Sequence, residues 1–178
     1  MRKHNKYDLL KEYYALGLIK EFRDIFKYLR PTPIAKKLGR EKGRFNELID
    51  DPSGFTMHEL MLLSTLWNLS LDILGQLIET QRPRIIMSYS PENPDYRVAS
   101  LRIDGGMIVN LTELFDVIGF EAAKKMGRKP ETVKRYLDHV EKFQVEDFEI
   151  LADRCEVSLP MILKLFEAQY AIQMQKHK

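Results

Sequence analysis

Along most of this chain apolar residues recur three and four positions apart, the spacing that places side chains on one face of an α-helix. Between residues 31 and 81 the pattern falls into short runs. Thr32-Pro33 reads as an N-cap followed by proline at the first helical position. Ile34, Ala35 and Leu38 continue that helix, and Gly39 stops it. Glycine adopts without penalty the left-handed conformation that a helix end often requires. A second helix is expected over 42–50, with Phe45, Leu48 and Ile49 facing inward. A loop, a third helix from Thr56 to Asn68 and a fourth opened by Ser70 complete the run.

The pattern then returns. Residues 123–169 align with 35–81 without a gap, and 13 of the 47 positions are identical. "AKKLGREKGRF" comes back as "AKKMGRKPETV". Ala35, Gly39, Arg40, Phe55, Ser70 and Gln81 pair with Ala123, Gly127, Arg128, Phe143, Ser158 and Gln169. In the second copy Pro130 stands near the start of the second helix, with Val133, Tyr136 and Leu137 inward. Its later helices are expected to begin near Gln144 and at Ser158. Two helices joined by a short turn containing glycine form a helix-turn-helix, so the pattern predicts an internal repeat of that arrangement.

Two segments lie outside this alignment. Residues 7–29 are apolar nearly all round, through Leu9, Leu10, Tyr13, Tyr14, Leu18, Ile19, Phe22, Ile25 and Phe26. That is too much for a lone surface helix, and Gly17 divides the segment. The first copy also carries Met61, Leu66 and Trp67 where the second has Glu149, Arg154 and Cys155. Extra apolar surface in one copy needs a cover, either the N-terminal helix of the same chain or a second chain. Residues 82–110 differ in kind. "RIIMSYS" and "YRVASLRID" are rich in β-branched and aromatic residues, and Asp104-Gly105-Gly106 is a hairpin signal. A strand-turn-strand is expected there, paired with itself or between chains, with an unstructured linker as the alternative.

Composition narrows the function classes. The net charge is +2, but residues 1–50 carry 13 Lys or Arg against 7 Asp or Glu, and 51–81 carry none against 4. Basic character is therefore local. The single cysteine, Cys155, precludes an intrachain disulfide and fits a reducing compartment. It occupies the position of Trp67 and reads as a small buried hydrophobe. His4, His58, His139 and His177 are scattered, so no metal site is expected. No cofactor-binding motif and no catalytic arrangement stand out, and no enzyme is expected. No apolar run approaches the roughly 20 residues that cross a bilayer. The start lacks the apolar segment of a secretion signal, so no membrane association and a cytoplasmic location are expected. Tyr89 and Tyr96 with Arg84 and Arg97 are a weak cue for stacking on single-stranded nucleic acid, and packing is the simpler reading.

"PIAKKLGREKGRFNELID" followed by "FTMHELMLLSTLWNLSLDIL", and "EAAKKMGRKPETVKRYLD" followed by "FQVEDFEILADRCEVSLPMIL", carry a resemblance. Each resembles the lambda-repressor-like family of helix-turn-helix domains, the Cro and phage-repressor type. The likeness covers some 50 residues per copy, with a preceding helix over Ile19–Leu29 and Leu111–Ile118. It implies a mainly α fold: two lambda-repressor-like DNA-binding bundles joined by a short β-containing segment. The expected divisions are 1–81, an N-terminal helix plus the first module; 82–110, a hairpin-like connector; and 111–178, the second module.

The resemblance further implies sequence-specific binding to double-stranded DNA and a role in transcriptional regulation. The second helix of each module would enter a major groove by its N-terminal end. Lys42, Arg44, Asn46 and Glu47 would face bases in the first copy, and Glu131, Thr132, Lys134 and Arg135 in the second. Lys36, Lys37, Arg40, Lys124, Lys125, Arg128 and Lys129 would lie near phosphates. The alternative is a helical protein-interaction module that keeps the fold without DNA. A homodimer would form through the N-terminal helix or through 82–110.

Overall fold

The computed structural model describes residues 7–83, 94–120 and 122–176. The chain divides into two compact units, Met1–Pro83 and Arg84–Lys178. The described residues are mainly helical, with no strand among them.

The first unit opens with α1, Asp8–Ala15. Gly17 turns the chain at φ 69°, and the Leu18 N–H donates to the Tyr13 carbonyl at 2.9 Å. A 3-10 helix, Phe22–Lys27, follows where a helix over 19–29 is expected. Asp24 caps it: its carboxylate accepts from the Lys20 and Glu21 N–H groups at 2.9 and 3.2 Å. Next come α2 (Pro31–Lys37), α3 (Lys42–Asp50), α4 (Met57–Trp67) and α5 (Leu71–Gln81). The N-cap of α2 is Arg30, two residues before the expected Thr32, and it makes no side-chain cap bond. Proline at the first helical position needs no N–H partner there. Thr56 caps α4 reciprocally with Glu59, and Asn68 ends it in the left-handed region. Phe22, Phe26, Phe45, Phe55 and Trp67 form one aromatic cluster, with neighbouring ring centroids 5.6–6.0 Å apart.

The second unit corrects the β-containing connector. Residues expected as the strand "YRVASLRID" lie in α6, Pro94–Asp104. Tyr96, Ala99 and Ile103 are its buried positions, spaced three and four apart. Burial of that face overrides the strand preference of the same residues. Asp104-Gly105-Gly106 is a helix end, with Gly106 at φ 68° and the Met107 N–H donating to the Arg102 carbonyl at 2.7 Å. The other expected strand, "RIIMSYS", lies outside the described residues. Then follow α7 (Leu111–Ile118), α8 (Ala122–Lys125), α9 (Pro130–Leu137), α10 (Val145–Arg154) and α11 (Leu159–Lys176).

In chain order α6 stands in its unit where α1 stands in the first. The Gly106 turn repeats the Gly17 turn 89 positions on. The Val109 N–H donates to the Glu113 carboxylate at 2.8 Å, as the Lys20 N–H does to Asp24. From Ala35 onward the corresponding positions are 88 apart, so the first unit has one more residue between Leu29 and Ile34. α11 runs beyond the point where α5 stops. Its buried Gln173 accepts from the Val140 N–H at 3.2 Å and donates to Glu141 at 3.2 Å, steadying the turn before α10.

Candidate nucleic-acid interface

Each candidate site is a helix, a glycine and a second helix. Ala35 and Ala123 are buried, 2% and 0% exposed, where the helices cross. Gly39 and Gly127 have φ of 66° and 65°. Past each glycine, the Arg40 N–H donates to the Ala35 carbonyl and the Arg128 N–H to the Ala123 carbonyl, both at 2.9 Å. These bonds satisfy carbonyls that the helix end would leave open.

The arginine after the glycine points back into its own unit. Arg40 Nε donates to Glu59 Oε1 at 2.6 Å, and Arg128 Nε donates to Asp147 Oδ1 at 2.6 Å. Both carboxylates sit in the first turn of the helix that follows the second helix of the motif. Both also cap that helix: Glu59 accepts from the Thr56 N–H at 3.0 Å, and Asp147 from the Gln144 N–H at 2.8 Å. Arg128 further donates to Gln144 Oε1 at 3.0 Å and lies 5.5 Å from the Tyr136 ring centroid. Arg40 and Arg128, expected at phosphates, thus tie the turn to the start of α4 or α10. Burial pushes the Glu59 carboxyl up, but the Arg40 guanidinium and the Thr56 hydrogen bonds outweigh it and hold the group below its ordinary value.

A second polar link closes each motif from the other end. Gln81 Nε2 donates to the carbonyls of Ile49 and Asp50 at 2.8 and 3.0 Å, and its Oε1 accepts from the Arg23 N–H at 2.7 Å. Gln169 Nε2 donates to the Leu137 carbonyl at 3.4 Å, and its Oε1 accepts from Thr112 N–H and Oγ1 at 3.2 and 3.0 Å. Sequence reasoning assigned these glutamines no role. Their identity in both copies was the signal that could have found them.

The remaining candidate residues lie outward. On α3, Phe45, Leu48 and Ile49 are buried, whereas Lys42, Arg44, Asn46 and Glu47 are exposed. Arg44 pairs with Glu47 on the same helix. On α9, Val133 and Leu137 are buried; Glu131, Lys134 and Arg135 are exposed and Thr132 is half-buried. The Lys134 ammonium stands 4.8 Å from the Phe120 ring centroid. Lys36, Lys37, Lys124 and Lys125 are exposed in the last turns of α2 and α8, where cations also suit the helix dipole. Lys129 is the N-cap residue of α9. Glu41, the N-cap residue of α3, is exposed, as is Lys42 next to it. No group of three or more His, Cys, Asp or Glu among the described residues could hold a metal ion. No single helix among them is long and apolar enough to cross a membrane.

No protein-family model matches the chain, and neither a curated protein nor a solved structure matches it.

Proposed function

We propose that this chain binds double-stranded DNA sequence-specifically, as a transcriptional regulator built from two diverged copies of one helix-turn-helix module. The observation that carries the reading is the duplicated turn. In each unit a helix ends at a left-handed glycine, and the next helix buries its apolar side and turns cations to solvent. In the lambda-repressor-like family, which both copies resemble, the start of that second helix enters the major groove.

Within this reading Lys42, Arg44 and Asn46, with Thr132, Lys134 and Arg135, face base edges. Lys36, Lys37, Lys124, Lys125 and Lys129 face phosphates, and Arg40 and Arg128 position the helices. The recurrence of the Asp24 and Glu113 caps supports a copied module that includes α1 and α6. A cytoplasmic location goes with this role.

A second reading, a helical protein-interaction module, is favoured by one observation. Exposed carboxylates of Glu41, Glu47 and Glu131 stand among the cations, and Glu47 already neutralises Arg44. A random-oligonucleotide selection with the full chain, followed by affinity measurements over a salt series, decides between them. DNA binding gives an enriched sequence and an affinity that falls with salt, with a log–log slope of about 0.9 per phosphate contacted. Lys36→Ala should lower that slope by about one contact. No enrichment and a flat salt response would leave the protein-interaction reading.

A further inference from the structure

α10 ends against Cys155, which stands 88 positions after Trp67 at the end of α4. Trp67 is 0% exposed, and the Phe22 and Phe26 ring centroids lie 5.8 Å from its own. Cys155 is also 0% exposed but far smaller. Beside it a cavity of about 160 Å³ opens between α6 and the end of α10. Tyr96, Leu101 and Cys155 supply its apolar lining, and Ser100 a hydroxyl. Arg97 and Arg154 also line it, two basic residues against the one acidic residue, Glu156. Burial pushes the Cys155 thiol up to about 12 and raises the Tyr96 hydroxyl above its ordinary value, so neither is charged at neutral pH.

We propose that this cavity binds a small aromatic carboxylate, its ring over Tyr96 and Leu101 and its carboxylate toward Arg154 and Arg97. An engineered cavity of about 150 Å³ is enough to hold benzene, so one substituted ring fits the space. Arginine presents paired N–H donors that match a carboxylate, and Ser100 adds a further donor. The net cationic lining selects an anion over an uncharged ring. The first unit carries a bulky indole at the corresponding position, so the site belongs to the second unit alone. The inference stands apart from DNA binding, and a failed oligonucleotide selection leaves it untouched.

The test is a titration of the full chain with benzoate, followed by amide shifts in ¹H–¹⁵N correlation spectra. Saturable shifts at residues 96–101 and 154–157, with a Kd below about 1 mM, are expected. Arg154→Gln should weaken binding about tenfold by removing a charge-assisted hydrogen bond. Benzyl alcohol, which lacks the carboxylate, should bind more weakly than benzoate. Cys155→Trp should fill the space and abolish the shifts. If that variant does not fold, the Arg154→Gln and benzyl alcohol comparisons decide. Absence of saturable shifts up to about 10 mM benzoate overturns the site. Equal affinity of benzoate for Arg154→Gln and the unaltered chain overturns the assigned ligand class.

Discussion

In the first unit the Trp67 ring packs against Phe22 and Phe26; in the second, Cys155 stands in that position and Phe115 instead stacks on Phe120 at 5.6 Å. The apolar interiors have diverged while the polar links have not. Arg40 to Glu59 and Arg128 to Asp147 have the same 2.6 Å length, and Gln81 and Gln169 hold corresponding carbonyls. The asymmetry has a physical cause. A core tolerates many apolar side chains if its volume is filled, whereas a buried carboxylate or carbonyl that loses its partner costs its full desolvation.

The comparison can be broken most sharply at Trp67. Trp67→Ala should destabilise the first unit by about 3–5 kcal/mol, whereas Cys155→Ala should cost the second far less, because little volume is removed. Denaturant unfolding followed by circular dichroism measures both. Trp67 is the only tryptophan, so in the unaltered chain its fluorescence reports the first unit. Trp67→Phe should cost less than alanine, because the remaining ring fills much of the volume; both changes remove an indole Nε1 that has no hydrogen-bond partner among the described residues.

The next effect tests the shared arginine links. Arg128→Ala should cost about 2–3 kcal/mol and Arg40→Ala less, about 1–2 kcal/mol. The order follows from exposure: the Arg128 side chain is 21% exposed against 36% for Arg40, and Asp147 is more buried than Glu59. Equal losses in the same unfolding experiment would contradict that ranking. Gly39→Ala and Gly127→Ala should each cost about 1–2 kcal/mol, and by the same amount. Nothing stands within 4 Å of a Cβ at either position, so only the positive φ is felt.

The smallest expected effect is a difference in acid response. The folded-state pKa of Glu59 lies below its unfolded value, so its contribution is present above about 4.5, the ordinary value, and is lost as pH falls through the lower folded value. The fluorescence-detected melting temperature of the first unit should fall over that window. Arg40→Ala should flatten the fall.

Much of the frame was readable along the chain. Gly39 and Gly127 marked both turns, Phe45 and Val133 marked inward faces, and Thr56 marked the start of α4. Each of these signals lies within about one helical turn of the structure it produces. α6 was misread because Tyr96, Val98 and Ile103 favour strands locally, and only the face that Tyr96, Ala99 and Ile103 bury makes the segment helical. Arg40 and Arg128 were expected near phosphates from the family resemblance, and that resemblance gave no sign of the carboxylate each one also holds. That partner lies 19 residues away.

The amino-acid order by itself determined the helical periods and the left-handed glycine turns, because these depend on backbone preferences and spacings within a few residues. Tertiary structure alone decided which arginines turn inward, which glutamines close the helix ends, and where Cys155 leaves a cavity. Those outcomes depend on side chains brought together from distant positions, whose burial sets the energy of every polar group they enclose.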